Sequence, residues 1–407
     1  MSSRDRDRHD VTDDLRWLRH PVESGLAAGF GIYVHVPFCS HRCGYCDFAT
    51  HVADPRSADQ VMARYVAALR RNISEVLAAG PDGDATTPWP VVTSVFVGGG
   101  TPTLLPADHL AAVITAVTEA TALAADVEIT VEANPETVTP ATFAALVDAG
   151  VTRISMGAQS FAPAVLATLE RSHDAHRPIV AVAEARAAGI DQVSLDLIYG
   201  TPGESMADWE ATLAGALSAD VDHLSAYALS IHTNTPFGRA RAAGLMPDVD
   251  DDAAAERFDL ARDVLGAAGF DHYEVSNWAR TPARRSRHNV LYWRHGDYLA
   301  FGVGAHGHLD GHRWWQPRGI DTWMAAVEQG RDPAAAREDL DVQERRLERL
   351  LLGLRLRDGL HPNDVPPLDP LALEDAMAHD LVETACGRVR ATDRGWYLLD
   401  EAVRRLA

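Results

Sequence analysis

The feature that most narrows the fold is an alternation running from residue 31 to residue 231, in which short apolar runs of strand length are each followed by a stretch with helical periodicity. The strand-like runs are GIYVHVPF (31–38), VVTSVFVGG (91–99), DVEITVEAN (126–134), TRISMGAQS (152–160), QVSLDLIYG (192–200) and HLSAYALSI (223–231). Helical periodicity fills 59–79, 106–121, 139–150, 176–188 and 205–219 between them. Strands joined through helices of that length require right-handed crossovers and a parallel sheet, either doubly wound or curled toward a barrel. Periodicity alone does not choose. The unusual residues favour the barrel, because they fall repeatedly at strand ends, where the active sites of such barrels lie. Cysteines follow the first strand, Gly98 to Thr101 close the second, Glu132 the third and Gln159 the fourth, and Asp196 lies late in the fifth. The expectation is an α/β chain with a partial, TIM-like barrel of six strand and helix units.

Past residue 240 the pattern changes. A helix is expected over 251–268, then an apolar segment at HYEVSNW and an aromatic, Gly-rich stretch from His288 to His308. We divide the chain into a flexible polar leader (1–28), a core barrel (29–240), a cap or extension of the sheet (241–330) and a small, mostly helical end domain (331–407). The closing segment VRATDRGWYLLDEAVRRL reads as strand, turn, strand and helix, which suits a winged-helix-like unit. The charged start MSSRDRDRHDVTDD lacks the apolar stretch of a secretory signal, and no run approaches the roughly 20 apolar residues that span a bilayer, so a cytoplasmic location is expected. A net charge of -21 argues against broad nucleic-acid binding, which needs a basic surface.

Three of the four cysteines, Cys39, Cys43 and Cys46, crowd into the loop CSHRCGYC directly after the first strand. Three thiolates on a compact loop can address one centre, and soft sulfur ligands select zinc or iron–sulfur clusters. A structural zinc site wants a fourth ligand at recognisable spacing. None is evident: His41 is too close along the chain, and Cys386 lies in the end domain, where a buried thiol is expected. Three ligands leave one position open.

The loop resembles the Cys-x-x-x-Cys-x-x-Cys signature of the radical S-adenosylmethionine superfamily, and that resemblance implies the radical SAM type of barrel. It implies a four-iron four-sulfur cluster on Cys39, Cys43 and Cys46 whose open iron binds the amino acid part of S-adenosylmethionine. It further implies cofactor contacts from Tyr45 within the loop, from Gly99, Gly100 and Thr101 in GGGTP, and from Glu132 in VEANP. Gln159 in GAQSF, Arg171 in LERSH, Asp196 in SLDLIYG and Tyr33, six residues before Cys39, complete the set. The residue types suit those roles: glycines let backbone approach a ligand, carboxylates accept from ribose hydroxyls, and Arg offers a fixed charge to a carboxylate.

From about residue 30 to 310 the chain resembles the coproporphyrinogen dehydrogenases and their sister group, the HemW-type haem chaperones. The dehydrogenases carry a further Cys two residues after the third ligand, where this chain has Phe48. His288, Asn289, Tyr292 and Trp293 in RHNVLYW resemble the HNxxYW motif of the chaperone branch. The resemblance therefore implies haem binding and delivery to an acceptor, such as a respiratory membrane protein or a haem storage protein, with peripheral membrane association during transfer. His288 is the first candidate for an axial ligand, with His306 and His308 as alternatives. The alternative function is oxygen-independent oxidative decarboxylation of coproporphyrinogen, which leaves open whether the chain is an enzyme.

Overall fold

The structure, a computed structural model, describes residues 29–407 except 82, 84, 249 and 362–367, so the leader of 1–28 lies outside the described residues. The six expected strands form: β1 (Phe30–Val36), β2 (Val92–Gly99), β3 (Leu123–Ala133), β4 (Arg153–Gln159), β5 (Gln192–Tyr199) and β6 (His223–Ala228). Between them run α1 (Ala58–Ala79), α2 (Ala107–Thr118), α3 (Pro140–Asp148), α4 (Pro163–Thr168), α5 (Arg177–Ala188) and α6 (Met206–Ser218). Each strand pairs in parallel with the next in sequence order. Local chemistry sets the helix starts. Thr139 caps α3 and Ser205 caps α6, each in a capping box that satisfies backbone N–H groups the first turn leaves over.

The strands alternate strictly, yet neither face is left to bulk water. Ile32, Val34 and Val36 of β1, with Val193, Leu195 and Leu197 of β5, are fully buried against the helices. Between them, Tyr33, His35, Ser194 and Asp196 point to the other face. There Asp196 accepts hydrogen bonds from Ser155 of β4 (2.9 and 3.0 Å) and Ser225 of β6 (2.7 Å), so this polar face is a shared interior. The interior does not close, because β1 and β6 take other neighbours and never meet.

Beyond β6 come α7 (Pro236–Ala242), α8 (Asp251–Ala267), β7 (Asp271–Glu274), β8 (Asn277–Ala279), α9 (Arg287–Trp293), β9 (Asp297–Phe301), β10 (His306–Leu309), β11 (His312–Trp315), α10 (Ile320–Glu328) and β12 (Ala336–Asp339). All the strands so far share a single 12-stranded sheet, ordered β12-β11-β10-β9-β1-β2-β3-β4-β5-β6-β8-β7. The cap therefore extends both edges of the barrel sheet. RHNVLYW, read from the sequence only as part of an aromatic stretch, is the helix α9, started by the Ser286 hydroxyl, which accepts from the Asn289 N–H.

The end unit has its own apolar core, including Leu350, Leu354, Leu381, Val389 and Val403. It begins with α11 (Val342–Gly353), since β12 still belongs to the large sheet, and continues through α12 (Pro370–Ala378), β13 (Val382–Ala385), β14 (Arg388–Ala391), α13 (Asp393–Trp396) and α14 (Leu399–Leu406). The hairpin precedes the position expected for it. GWY is not a strand, because Thr392 caps the helical turn of α13 and a side chain at Gly395 would strike the Leu381 carbonyl at 1.7 Å. Cys386 is exposed rather than buried: with Gly387 it forms the hairpin turn, both at positive φ, which turns the side chain away from the core.

Candidate functional site

The C-terminal ends of β1 to β6 converge on one cavity of about 370 Å³. Its floor and walls include Cys39, Cys43, Tyr45, Cys46, Gly99, Gly100, Thr101, Glu132, Gln159, Arg171 and Asp196. Residues spread over 158 positions of sequence are thus brought together. Of the cofactor contacts that the resemblance implies, Tyr33 alone is left out of this wall. It lies one layer deeper, where its hydroxyl meets His35 Nδ1 at 2.9 Å.

The cysteine loop is pinched at its base. Cys39 N–H donates to the His51 carbonyl (3.1 Å) and His51 N–H to the Pro37 carbonyl (2.8 Å), so the intervening residues 40–50 project as one unit. Its far side is held by Glu170, whose carboxylate accepts from Gly44 N–H (2.7 Å) and whose carbonyl accepts from His41 Nε2 (2.7 Å). Glu170 has φ +57, a conformation a non-glycine residue adopts only when its surroundings fix it. All three thiols are free and partly exposed. Burial pushes the Cys39 thiol up to about 11 and also raises Cys46, so both are protonated until a cation offsets the cost of the thiolate.

The glycine turn is fitted from three sides. A Cβ at Gly98 would come within 2.8 Å of the Glu132 carboxylate, one at Gly99 within 2.5 Å of the His35 ring, and one at Gly100 within 2.6 Å of the Pro37 carbonyl. Gly99 also has φ +118, and its N–H donates to Glu132 (2.9 Å). Glu132 and Asp196 are carboxylates in a buried wall. Burial lifts Glu132 to about 7, against the opposing Gly99 hydrogen bond, and lifts Asp196 against the Ser225 and Ser155 hydroxyls. Gln159 sits at φ +63 beside a register shift in β4, and its amide occupies the space that Gly157 leaves by lacking a side chain.

Arg171 is 94% buried in its side chain and joins the walls, donating to Asn134 Oδ1 (2.7 Å) and the Gly157 carbonyl (3.3 Å) beside Glu136 (3.4 Å). Burial would raise Glu136, but His173 and the Arg171 guanidinium outweigh it and hold the carboxylate at about 2. Asn134 passes the link on to Thr101 (2.9 Å). Asn134, Glu136, Glu170, Ser155 and Ser225 escaped the sequence reading. The available signals were adjacency, since Asn134 follows Glu132 by two positions and Glu170 precedes Arg171, and the alternation that turns Ser225 inward opposite Asp196.

The four haem candidates lie elsewhere. His288, Asn289, Tyr292 and Trp293 sit on α9, which plugs the N-terminal end of the barrel, and none lines the cavity. His288 is 1% exposed, with Nδ1 bonded to the Ser94 hydroxyl (2.9 Å) and Nε2 to the Tyr292 hydroxyl (2.8 Å). Burial drops its pKa to about 3, so the ring is neutral with both nitrogens engaged. His308 is likewise occupied by the Gly296 carbonyl and the Gly311 N–H, while His306 is exposed beside Trp315.

The donor set fits a cluster and a polar adenosyl ligand. Three free thiols face a wall with two carboxylates, and the buried Arg171 Nε has no hydrogen-bond partner. Among the described residues no three His, Cys, Asp or Glu side chains converge on one ion, as a zinc site would require. A cubane, whose irons take one thiolate each, needs no such convergence.

Comparison with known proteins agrees with this geometry. The family model of the radical SAM superfamily matches residues 33–214. The chain is 42% identical over 392 residues to "Heme chaperone HemW" of Mycobacterium tuberculosis, covering 95% of this chain and 98% of that protein. It is 37% identical over 361 residues to "Radical S-adenosyl methionine domain-containing protein 1, mitochondrial" of Bos taurus, covering 87% and 78% respectively. Among solved structures, the coproporphyrinogen III oxidase HemN of Escherichia coli, a radical SAM enzyme, superimposes with a TM-score of 0.77. At 20% identity over 97% of this chain and 92% of that one, it establishes the fold: a partial barrel with a small C-terminal unit.

Proposed function

The chain belongs to the HemW haem chaperone family of the radical SAM superfamily, and from that premise we propose that it binds haem and hands it to acceptor proteins. In this reading the barrel mouth carries a four-iron four-sulfur cluster and S-adenosylmethionine. The observation that supports it most directly is the meeting of three free thiols with Gly99, Glu132, Arg171 and Asp196 around one cavity.

Cys39, Cys43 and Cys46 would hold the cluster, with Glu170 and the His51 contact fixing the loop that presents them. When bound and reduced, such a cluster supplies an electron to the sulfonium of the adenosyl ligand. The protein's own groups bind and orient. Arg171, with its Nε unpartnered, is placed to receive the ligand's carboxylate. Glu132 and Asp196, two carboxylates in a desolvated wall, already accept from Gly99 N–H and from the Ser155 and Ser225 hydroxyls, bonds that only partly offset burial, and can accept further from ligand hydroxyl groups. Gly99 and Gly100 let the strand end lie against the ligand without intervening side chains.

In this reading transfer to a membrane-bound acceptor is a peripheral encounter; no helix among the described residues is long and apolar enough to cross a membrane. The test is an anaerobic haem titration of the cluster-loaded protein beside a coproporphyrinogen turnover assay. A saturable Soret shift at about one equivalent, without protoporphyrinogen, is the expected result. No shift would reject haem binding, and turnover would move the protein to the oxidative decarboxylases.

A further inference from the structure

Resting on the haem-binding reading, we propose that haem docks across the barrel mouth with His232 as the axial ligand to its iron. Among the described residues two histidines line the cavity, His41 and His232. In His41, Nε2 donates to the Glu170 carbonyl (2.7 Å) and Nδ1 faces the Ser40 hydroxyl (3.3 Å), so the ring has no nitrogen to give. The ring of His232 makes no hydrogen bond among the described residues. Its nearest charged neighbour is Asp47 at 3.8 Å, and its side chain is 56% exposed.

The backbone beneath that free ring is fixed. The His232 carbonyl accepts from both the Thr235 hydroxyl (2.6 Å) and the Thr235 N–H (3.1 Å), and a Cβ at Gly238 would strike it at 2.1 Å. Phe237, five residues on, donates its N–H to the Gly44 carbonyl (2.9 Å), tying this lip to the cysteine loop opposite. A held backbone with an uncommitted imidazole is the arrangement a metal ligand needs, since little ordering cost remains to be met on binding.

The rim suits the rest of the ligand. Phe48 and Tyr227 line the cavity at 63% and 40% exposure, two rings on one rim that a flat apolar partner can cover. Arg42 donates to the Cys46 carbonyl and Arg318 to the Asp47 carbonyl, which places two guanidinium groups on the cysteine-loop lip for two propionates. A cavity of about 370 Å³ filled by an adenosyl ligand leaves no room for a porphyrin inside, so the haem lies over the opening.

The experiment titrates haemin into full-length, anaerobically reconstituted protein with S-adenosylmethionine present, comparing wild type with H232A, H232Q and H288Q at matched iron and sulfide content. Wild type and H288Q should give the shifted Soret band, whereas both His232 variants should bind about tenfold more weakly or worse, without that band, until free imidazole restores it. If H232A and H232Q match wild type in band and affinity, or if only H288Q loses the band, the assignment is overturned while haem binding stands. If wild type itself shows no shift, the haem-binding reading falls.

Discussion

The two ends of the barrel use the same residue types and differ in what those residues have left to offer. At the closed end, Glu128 of β3 accepts from the Arg287 and His288 N–H groups and lies 4.0 Å from the buried Arg153, while His288 is bonded through both nitrogens. At the open end the thiols are free, Arg171 Nε is unpartnered, and Glu132 and Asp196 carry carboxylates that burial has made reluctant to ionise. The contrast separates a scaffold from a site: histidine, glutamate and arginine mark function only where hydrogen-bonding capacity remains unspent. In RHNVLYW, His288 falls on the spent side of that contrast, with both ring nitrogens hydrogen-bonded.

Substitutions at the two ends should therefore fail in different ways. The largest effect is expected for Cys43→Ser: iron and labile sulfide should fall from about four per chain to near zero, with the far-ultraviolet circular dichroism unchanged. Glu128→Ala at the closed end leaves Arg153 buried beside an emptied position and strips the first turn of α9 of its acceptor. It should cost about 3–5 kcal/mol in thermal or denaturant unfolding while leaving affinity for S-adenosylmethionine unchanged in the folded fraction. A large loss of affinity there would erase the distinction between the ends.

Asp196→Asn should do the converse, weakening S-adenosylmethionine binding by about 1.5–3 kcal/mol in calorimetry with little change in unfolding. The smallest effect is a pH dependence. Glu132 titrates near 7 because burial opposes its charge, and a hydroxyl donor favours the charged form. Below pH 7 the carboxyl is protonated and accepts poorly; above it the carboxylate is present. Affinity should tighten by a few-fold between pH 6 and 8 and then level off, and Glu132→Gln should flatten the profile.

Much of the open end was legible in the sequence because its residues sit in short contiguous motifs. CSHRCGYC, GGGTP and VEANP each carry several contributors, and all three reach the cavity wall. Tyr33 did not, since it pairs with Phe96, three residues before Gly99 at the rim, and each residue along a strand lowers a side chain by about 3.3 Å. His232 went unnoticed because it stands in an ordinary loop after β6 with no motif around it. RHNVLYW was visible as a motif, but nothing in its letters told a ligand from a plug.

The sequence by itself determined the six strand and helix units, their parallel order and the cysteine loop, because periodicity, helix caps and cysteine spacing are local properties of the chain. Only the tertiary structure decided that the alternating polar face is an interior, that the edges stay open, and which histidines keep a free nitrogen. Those depend on partners distant in sequence, 194 residues apart for Ser94 and His288, and no local pattern records whether a hydrogen-bonding group has already been satisfied from across the fold.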